Sequence, residues 1–297
     1  MASTTVAENA RINKSSQKQS FFLITLKRLK KNKLAMVGLF FMIFMILVSV
    51  FAPFIAPYSY EEQNLSITFQ TPNKEHLMGT DNLGRDILSR IIYGGRMSLR
   101  IGIIAVAIAS AMGIFFGSIA GYYGGKTDNI IMRVLDIFQA VPPLLMAIAI
   151  AAALGPGIMN AMIAIGISTT PAFARITRAS FLNVCGMEYI EAAKAINATD
   201  RRIIIKHVLP NAMSPILVEM TMGVAKAILI AASLSFIGLG AQPPLPEWGA
   251  MLSGGRNYIR DYWHIVLFPG VTIMLTVLSL NMLGDGLRDA LDPRLKN

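Results

Sequence analysis

EYIEAAKAINATDRRIIIKHVLP, from Glu188 to Pro210, is a polar and basic stretch that separates two long hydrophobic segments of this chain. Its first part, EYIEAAKAI, lacks Gly and Pro and predicts about two helical turns. Asn197 to Asp200 supply turn and N-cap residues, and RRIIIKHV predicts a second short helix that Pro210 ends. Because plain loops seldom hold two helix-forming stretches around a cap signal, the pattern favours a docking element made of two helices at an elbow.

The composition of the chain is that of a membrane protein. Of its 297 residues, 54% are hydrophobic and 15% are charged, whereas soluble proteins have roughly 25% charged residues. A transmembrane helix needs about 20 mostly apolar residues. Six spans are predicted, at residues 34–56, 101–125, two within 137–174 separated by Gly155–Gly157, 215–239 and 262–284. The sequence therefore predicts an all-α, polytopic membrane protein.

These spans divide the chain into five expected parts. They are a cytosolic tail at 1–33, the first span at 34–56, an extracytoplasmic loop at 57–97, a core of five spans at 98–286 and a second cytosolic tail at 287–297. The core includes a cytosolic loop at 175–213. Within the first tail, residues 1–20 are expected to be disordered, and FFLITLKRLKKNK (21–33) predicts a basic interfacial helix.

The distribution of Lys and Arg predicts the orientation. Eight Lys and Arg precede Leu34, against the single acidic residue Glu8, and basic flanks stay in the cytosol. With six spans both termini are cytosolic, and so is the stretch from Glu188 to Pro210. The net charge of +10 is thereby explained by topology and by contact with anionic lipid. A nucleic-acid partner is not expected, because no basic patch is interleaved with aromatic residues.

No catalytic or metal-binding motif is found. GGKT, Gly124 to Thr127, resembles the end of a phosphate-binding loop, but Ala120 stands where that loop needs a Gly. The single Cys185 has no disulfide partner, and no His, Cys or carboxylate group has metal-ligand spacing. The chain is therefore expected to be non-catalytic and without a cofactor, and any ATP and Mg would be bound by another chain.

Four blocks of sequence, in order, resemble one protein family. They are HLMGTDNLGRDILSR (76–90), EAA (191–193) with LP (209–210), SLSFIGLGAQPPLPEWG (233–249) and LRDALDPRL (287–295). Together they resemble the permease subunits of importer-type ABC transporters, in the dipeptide, oligopeptide and nickel branch, and the C-type permease of the pair. The resemblance covers residues 21–297. It implies the type I importer permease fold with six transmembrane helices in the plasma membrane.

The resemblance also implies partners and site residues. The expected partners are a second permease, two ATPase subunits that bind ATP and Mg, an extracytoplasmic binding protein, a peptide substrate and membrane lipid. The stretch 188–210 would contact an ATPase. The residues expected to couple the two are Glu188, Glu191, Ala192, Ala193, Asn197, Asp200, Arg201, Leu209 and Pro210. Asn197 stands where the family usually has Gly, and Asn tolerates the left-handed conformation better than most residues.

Two further groups of residues are candidate sites. Glu219 and Lys226 are seven positions apart in the fifth span and share one helical face, and a charge at the centre of a bilayer costs about 2.5 to 3.5 kcal/mol. They are hypothesised, with Met222, to line the translocation path and to meet the peptide termini; a structural ion pair is the alternative. The turn-rich string GTDNLGRD is expected to contact the binding protein or the second permease, or else to cap the entry to span two. Its residues are Gly79, Thr80, Asp81, Gly84, Arg85 and Asp86.

Three other functions remain as alternatives. A nickel complex, metal chelate or other oligopeptide-like solute is open because the branch shares its motifs. A self-contained channel or secondary transporter would need a selectivity sequence or an inverted repeat, and neither is found. A membrane enzyme would need ionisable groups converging at one depth, where the spans offer only Glu219 and Lys226.

Overall fold

The computed structural model describes residues 21–291, and within that range it is built from helices joined by loops, with no strand. This confirms the all-α prediction. The helices are α1 (Phe21–Leu29), α2 (Lys33–Val50), α3 (Ala52–Ile55), α4 (Ile87–Tyr123), α5 (Gly125–Gln139), α6 (Pro143–Leu154), α7 (Ile158–Cys185), α8 (Glu188–Ala195), α9 (Asp200–Arg202), α10 (Leu209–Phe236), α11 (Trp248–Gly255) and α12 (His264–Leu291). The expected disorder of residues 1–20 and the last residues of the tail at 287–297 lie outside the described range.

Several helices are long enough to cross a membrane. Four described helices are also sufficiently apolar: α2, α4, α12 and the continuous helix Asp200–Phe236. A fifth span results if α5 and α6 form one bent span. The remaining predicted segment corresponds to α7, whose 28 residues include Arg175 and Arg178. Because α7 packs against α4, α6 and α10, much of its surface is in contact with protein and need not be apolar.

Helix α4 begins at Ile87, inside the segment 57–97 that the sequence assigns to a loop. The Asp86 carboxylate caps it by accepting a hydrogen bond from the Ser89 amide at 2.7 Å. A helix cap stabilises the first turn by about 1 kcal/mol, and an apolar run is not needed for that turn to form. The helix therefore starts before the hydrophobic stretch does.

Helices α4 and α7 form the most extensive contact of the fold. Gly113, Gly117 and Gly121 line one side of α4, and a Cβ at any of them would press on α7. Gly113 lies against Phe173 and Gly121 lies against Phe181, so the two helices run parallel. Small residues four positions apart let helix backbones approach closely within a membrane.

Two breaks interrupt the spans. The predicted break at Gly155–Gly157 is confirmed, since α6 ends at Leu154 and α7 begins at Ile158. A second break lies between α5 and α6, whose axes differ by 84°. Pro142 and Pro143 occupy this bend, and the residue before a Pro is driven out of the helical conformation. Gly157 donates a backbone hydrogen bond to Leu239 at 3.2 Å, which ties the end of the first break to the end of α10.

The main core lies among α4, α6, α7 and α10. Its members include Ile101, Ile165, Phe173 and Leu234, each no more than 2% exposed. A second cluster surrounds the fully buried Trp248 at the start of α11. These two clusters fix the helices that carry the candidate sites.

Candidate functional site

The stretch from Glu188 to Pro210 forms the predicted elbow, which we call the docking element. Helix α8 (Glu188–Ala195) packs through Ile190, and the second arm packs through Ile203 and Val208. These side chains are fully or almost fully buried with Phe181 of α7. The element is therefore anchored to the end of α7 by its own small core, and it is not a free loop.

The turn of the docking element is made by Asn197. Its φ is 58°, the left-handed conformation that the sequence analysis allowed for this residue. The Ala198 amide donates to the Ala193 carbonyl at 3.2 Å, which closes α8. Thr199 occupies the N-cap of the second arm without a side-chain cap bond. Asp200 instead accepts a hydrogen bond from the Tyr122 hydroxyl at 2.7 Å, which links the turn to the end of α4.

The prediction that Pro210 ends the second helix is wrong. The helical path continues through Ile203–Val208 in a π-helical turn and runs into α10. In that turn the Leu209 amide donates to the Ile204 carbonyl, five residues back. Pro210 then stands at the first turn of α10, where a missing N–H and a fixed φ are tolerated. The second arm of the docking element and the fifth predicted span are therefore one continuous helical path, from Asp200 to Phe236.

The exposed surface of the docking element carries apolar as well as charged side chains. Ile196 is 80% exposed, Ile205 51% and Met187 50%. Most of the predicted coupling residues lie on this surface. Glu188, Glu191, Ala192, Asn197, Asp200, Arg201 and Pro210 are exposed, and Ala193 and Leu209 are half-buried. A cluster of exposed apolar side chains with a polar rim is typical of a protein contact surface.

Glu219 and Lys226 are brought together on α10. The Lys226 ammonium lies 3.0 Å from the Glu219 carboxylate. The lysine side chain is 57% exposed, while that of the glutamate is 14% exposed. Met222 is half-buried and lies close to Gly284 of α12. The two charges thus compensate each other on a face of α10 that the described chain leaves partly open.

The string from Gly79 to Asp86 forms a closed turn whose groups mostly bond to one another. Asp81 accepts from the Leu83 and Arg85 amides at 2.8 and 3.0 Å and from the Arg85 side chain at 2.7 Å. Thr80 donates to the Ile67 carbonyl at 2.5 Å. Gly79, Thr80, Asp81, Gly84 and Asp86 are buried, and Arg85 is half-buried. This burial favours the capping alternative for the string itself.

Around this turn, two other groups join distant segments. Arg90 on α4 donates to the Tyr60 carbonyl at 2.9 Å. A hydrogen bond to Glu61, together with burial, raises the pKa of the Tyr60 hydroxyl above its ordinary value. Arg96 donates to the carbonyl of Ser49 at 2.6 Å, which satisfies the end of α2. These residues fix the loop before α4 against both neighbouring helices.

Two ion pairs that the sequence analysis did not single out connect α5 with α7. Arg178 makes two bonds of 2.5 Å to the two carboxylate oxygens of Asp128, and Arg175 lies 2.8 Å from Asp136. The four side chains line a cleft of about 420 Å³. The signal in the sequence is the spacing of three between Arg175 and Arg178, which places them on one side of α7.

Models of two families match the chain. The model described as binding-protein-dependent transport system inner membrane component matches residues 113–297. The model described as the N-terminal TM domain of oligopeptide transport permease C matches residues 20–72. The first contains the docking element, α10 and the ion pairs between α5 and α7, and the second contains α2.

Curated proteins resemble the chain over most of its length. It is 52% identical over 271 residues to the dipeptide transport system permease protein DppC of Alkalihalophilus pseudofirmus, covering 91% of this chain and 89% of that one. It is 46% identical over 272 residues to the di/tripeptide transport system permease protein DppC of Pseudomonas aeruginosa, covering 90% of each. It is 46% identical over 274 residues to the glutathione transport system permease protein GsiD of Escherichia coli O157:H7, covering 91% and 89%.

Solved structures share the fold. A chain from inward-facing conformations of the MetNI methionine ABC transporter aligns with a TM-score of 0.57 at 18% identity, over 69% of this chain and 98% of that one. A chain from an amino acid ABC transporter with histidines aligns with a TM-score of 0.52 at 17% identity, over 68% and 94%. The chain therefore shares its helical fold with these transporter chains over about two thirds of its length.

Proposed function

The chain belongs to the family of binding-protein-dependent transport system inner membrane components, and from that membership we propose that it carries short peptides across the plasma membrane. It is a membrane-spanning permease subunit of an ATP-driven importer, and it is not itself an enzyme. Partner ATPases hydrolyse the ATP. The observation that carries the peptide assignment is the 52% identity to a dipeptide permease over 91% of the chain.

Peptides are favoured over nickel complexes by the names of the relatives. Those named above are assigned to dipeptides, di/tripeptides and glutathione, and glutathione is itself a small peptide. The shared feature of these solutes is a short backbone with charged ends. A metal chelate has a different charge distribution, and none of these three relatives is named for one.

The complete importer is proposed to contain four other chains around this one. A second permease would complete the pathway, two ATPases carrying ATP and Mg would lie on the cytosolic side, and an extracytoplasmic protein would deliver the peptide. Both termini and the docking element would be cytosolic, as the basic residues before Leu34 indicate. The segment 57–86 would then lie outside the cell. Its exposed Leu65 and Leu77 would contact the delivering protein. The buried turn from Gly79 to Asp86 would hold the segment that carries these two side chains in a fixed conformation.

The docking element is proposed to transmit ATPase closure to α10. Its exposed Ile196 and Ile205 would fill a groove on an ATPase, and Glu191 and Arg201 would border the contact. Because the element shares a core with Phe181 and continues directly into α10, a displacement of the element moves α7 and α10 together. The small side chains of Ala192 and Ala193 would allow close approach of the ATPase surface.

The transport function is tested by reconstituting this chain in liposomes with its second permease, ATPases and binding protein. We expect uptake of a labelled dipeptide that requires both ATP and the binding protein, because this chain supplies only part of the pathway. The matched control omits the ATPases. Flux through this chain alone, without ATP, would instead identify a channel or secondary transporter, and uptake of nickel complexes without peptide uptake would overturn the substrate assignment.

The exposed face of α10 is proposed to line the peptide pathway. Lys226 would attract the peptide carboxylate and Glu219 its ammonium, while Met222 supplies adjacent apolar surface. Within the chain the two charges neutralise each other at 3.0 Å. A bound peptide would offer its carboxylate to Lys226 in place of the Glu219 carboxylate, and its ammonium to Glu219 in place of the Lys226 ammonium. The net charge of the face would therefore stay balanced.

Charge reversal separates this role from a structural one. We expect Glu219→Lys and Lys226→Glu each to reduce dipeptide uptake at least tenfold, because each places two like charges on the face. The double reversal restores the ion pair and should restore assembly. If the pair is only structural, the double variant also recovers uptake; if it meets the peptide, uptake stays low. Normal uptake by both single variants would remove the pathway role.

A further inference from the structure

Helix α5 presents an apolar stripe that the described chain leaves open. Ile130 and Ile137 are 66% and 71% exposed, and Val134 and Phe138 are exposed as well. Their spacing of three and four residues places them on one face of the helix. Beyond the bend, Leu145 of α6 is exposed as well. An amphipathic helix with an uncovered apolar face needs an apolar neighbour.

The acidic and basic residues of α5 differ in their partners: the acidic residues form ion pairs with α7, whereas two basic residues do not. Both acidic residues of this helix are neutralised by α7, Asp128 by Arg178 and Asp136 by Arg175. Lys126 and Arg133 are exposed and make no ion pair within residues 21–291, although Arg133 also lines the edge of the cleft that holds the two ion pairs. Basic and apolar residues alternate at spacings of three and four along α5, in the order Lys126, Ile130, Arg133 and Ile137. The two cations without an ion pair therefore lie beside the apolar stripe.

The bend fixes how α5 lies relative to the membrane. Its axis is turned 84° from that of α6. Where α6, which with its 12 residues is too short to cross the bilayer alone, enters the bilayer along the membrane normal, α5 lies nearly parallel to the membrane surface. It then lies at the end of α4 that is cytosolic in the proposed orientation. An apolar stripe bordered by basic residues on such a helix is the arrangement that binds at the boundary between acyl chains and headgroups.

We propose that α5 is an interfacial helix whose stripe lies in the cytoplasmic leaflet and whose Lys126 and Arg133 bind the phosphates of anionic lipids. The inference rests on the orientation in the proposed function. Anionic lipid matches the two features together, because it offers acyl chains to the stripe and negative charge to the cations. Coverage by the second permease would match the stripe but would bury both cations, at a cost unless it supplied acidic partners.

The position of the stripe is tested in the assembled importer in lipid nanodiscs. In a Cys185→Ser background, a fluorophore is attached at Ile137→Cys, and at Asn129→Cys on the polar side of the same helix as the matched control. We expect a phospholipid carrying a nitroxide near its headgroup to quench the first label at least twofold more than the second. Equal quenching of the two labels would overturn the proposal. So would an Ile137→Cys label that neither lipid nor water-soluble quenchers reach, because that outcome would indicate coverage by protein.

The role of the cations is tested with labelled lipids of different charge. Nitroxide-labelled phosphatidylglycerol should quench the Ile137→Cys label more than nitroxide-labelled phosphatidylcholine does, and the preference should fall about fivefold for each cation removed in Lys126→Gln and Arg133→Gln. Lys74→Gln with Arg260→Gln removes two charges elsewhere and should leave the preference unchanged. An unchanged preference in Lys126→Gln/Arg133→Gln contradicts the proposal.

The orientation is checked separately, so that its failure is not confused with failure of the lipid contact. Arg288→Cys, at the exposed end of α12 and in the Cys185→Ser background, is treated with a membrane-impermeant thiol reagent in intact cells and, as a positive control, in permeabilised cells. Labelling from outside would reject the proposed orientation itself. Protection in intact cells together with absent lipid quenching would reject only the interfacial position of α5.

Discussion

Asp86 serves two buried partners at once. One carboxylate oxygen accepts from the Ser89 amide and hydroxyl, both at 2.7 Å, and the other lies 2.9 Å from Nδ1 of His76. Asp86 is 4% exposed and His76 is 6% exposed, so water does not replace a lost partner there. The residue therefore holds the start of α4 and the preceding loop in one arrangement.

Replacing Asp86 by Ala should lower the stability of the chain by about 2 kcal/mol, because it removes a helix cap and leaves a buried imidazole unpaired. The measurement is the melting temperature of the purified complex. Asp86→Asn keeps an acceptor for Ser89 and should lose less, and the exposed Asp261→Ala should lose almost nothing. Equal melting temperatures for all three variants would contradict this role.

At the scale of secondary-structure elements, the close contact between helices α4 and α7 depends on small residues. Gly117 has no room for a side chain, since a Cβ there would lie 2.7 Å from the Thr177 side chain and would press on the Ala174 carbonyl. The run of Gly113, Gly117 and Gly121 was visible in the sequence as a repeat of four, although the sequence analysis did not use it. Such a repeat on an apolar helix predicts close helix packing.

Gly117→Val should destabilise the folded chain by about 1 to 3 kcal/mol, because the two backbones must separate to accept the side chain. The amount of assembled permease recovered from membranes measures this effect. Gly254→Val is the control, since a Cβ at Gly254 meets nothing within 4 Å. Normal recovery of Gly117→Val would show that the helices are not held at this distance.

Much of this architecture was readable from the sequence, for reasons that differ between elements. Apolar runs located the spans in α2, α4, α10 and α12, whereas the third span, predicted to begin at residue 137, is divided by the bend between α5 and α6. The break at Gly155–Gly157 and the turn at Asn197 followed from local backbone preferences. The prediction at Pro210 was wrong because a Pro that ends one helix and a Pro in the first turn of the next helix look the same in sequence. The π-helical turn at Ile203–Val208, which joins the two helices, distinguishes them only in the structure. The pairs between α5 and α7 join Asp128 with Arg178, 50 residues apart, and no local pattern specifies such partners.

At the scale of the whole molecule, the docking element is the surface on which the importer is proposed to assemble. Ile196→Glu should weaken ATPase binding by about 2 kcal/mol, or roughly thirtyfold, because it places a charge at the centre of an apolar contact. Ile196 is 80% exposed, so the fold of the chain itself should be unaffected. Binding of detergent-solubilised permease to immobilised ATPase measures the loss.

Ile259→Glu provides the matched control for that prediction, since Ile259 is 54% exposed and lies between α11 and α12, outside the docking element. It should bind the ATPase normally. If Ile196→Glu also binds normally while retaining its melting temperature, the contact must lie elsewhere on the chain.

The unbroken helix from Asp200 to Phe236 has a mechanical consequence. Its 37 residues at about 1.5 Å each give a path about 55 Å long, including the π-helical turn at Ile203–Val208. If this helix tilts as one body, a tilt of about 10° around its midpoint moves each end by about 5 Å in opposite directions. In the proposed pathway along α10, a single small rotation of this kind would widen one mouth while narrowing the other, without any helix having to unfold.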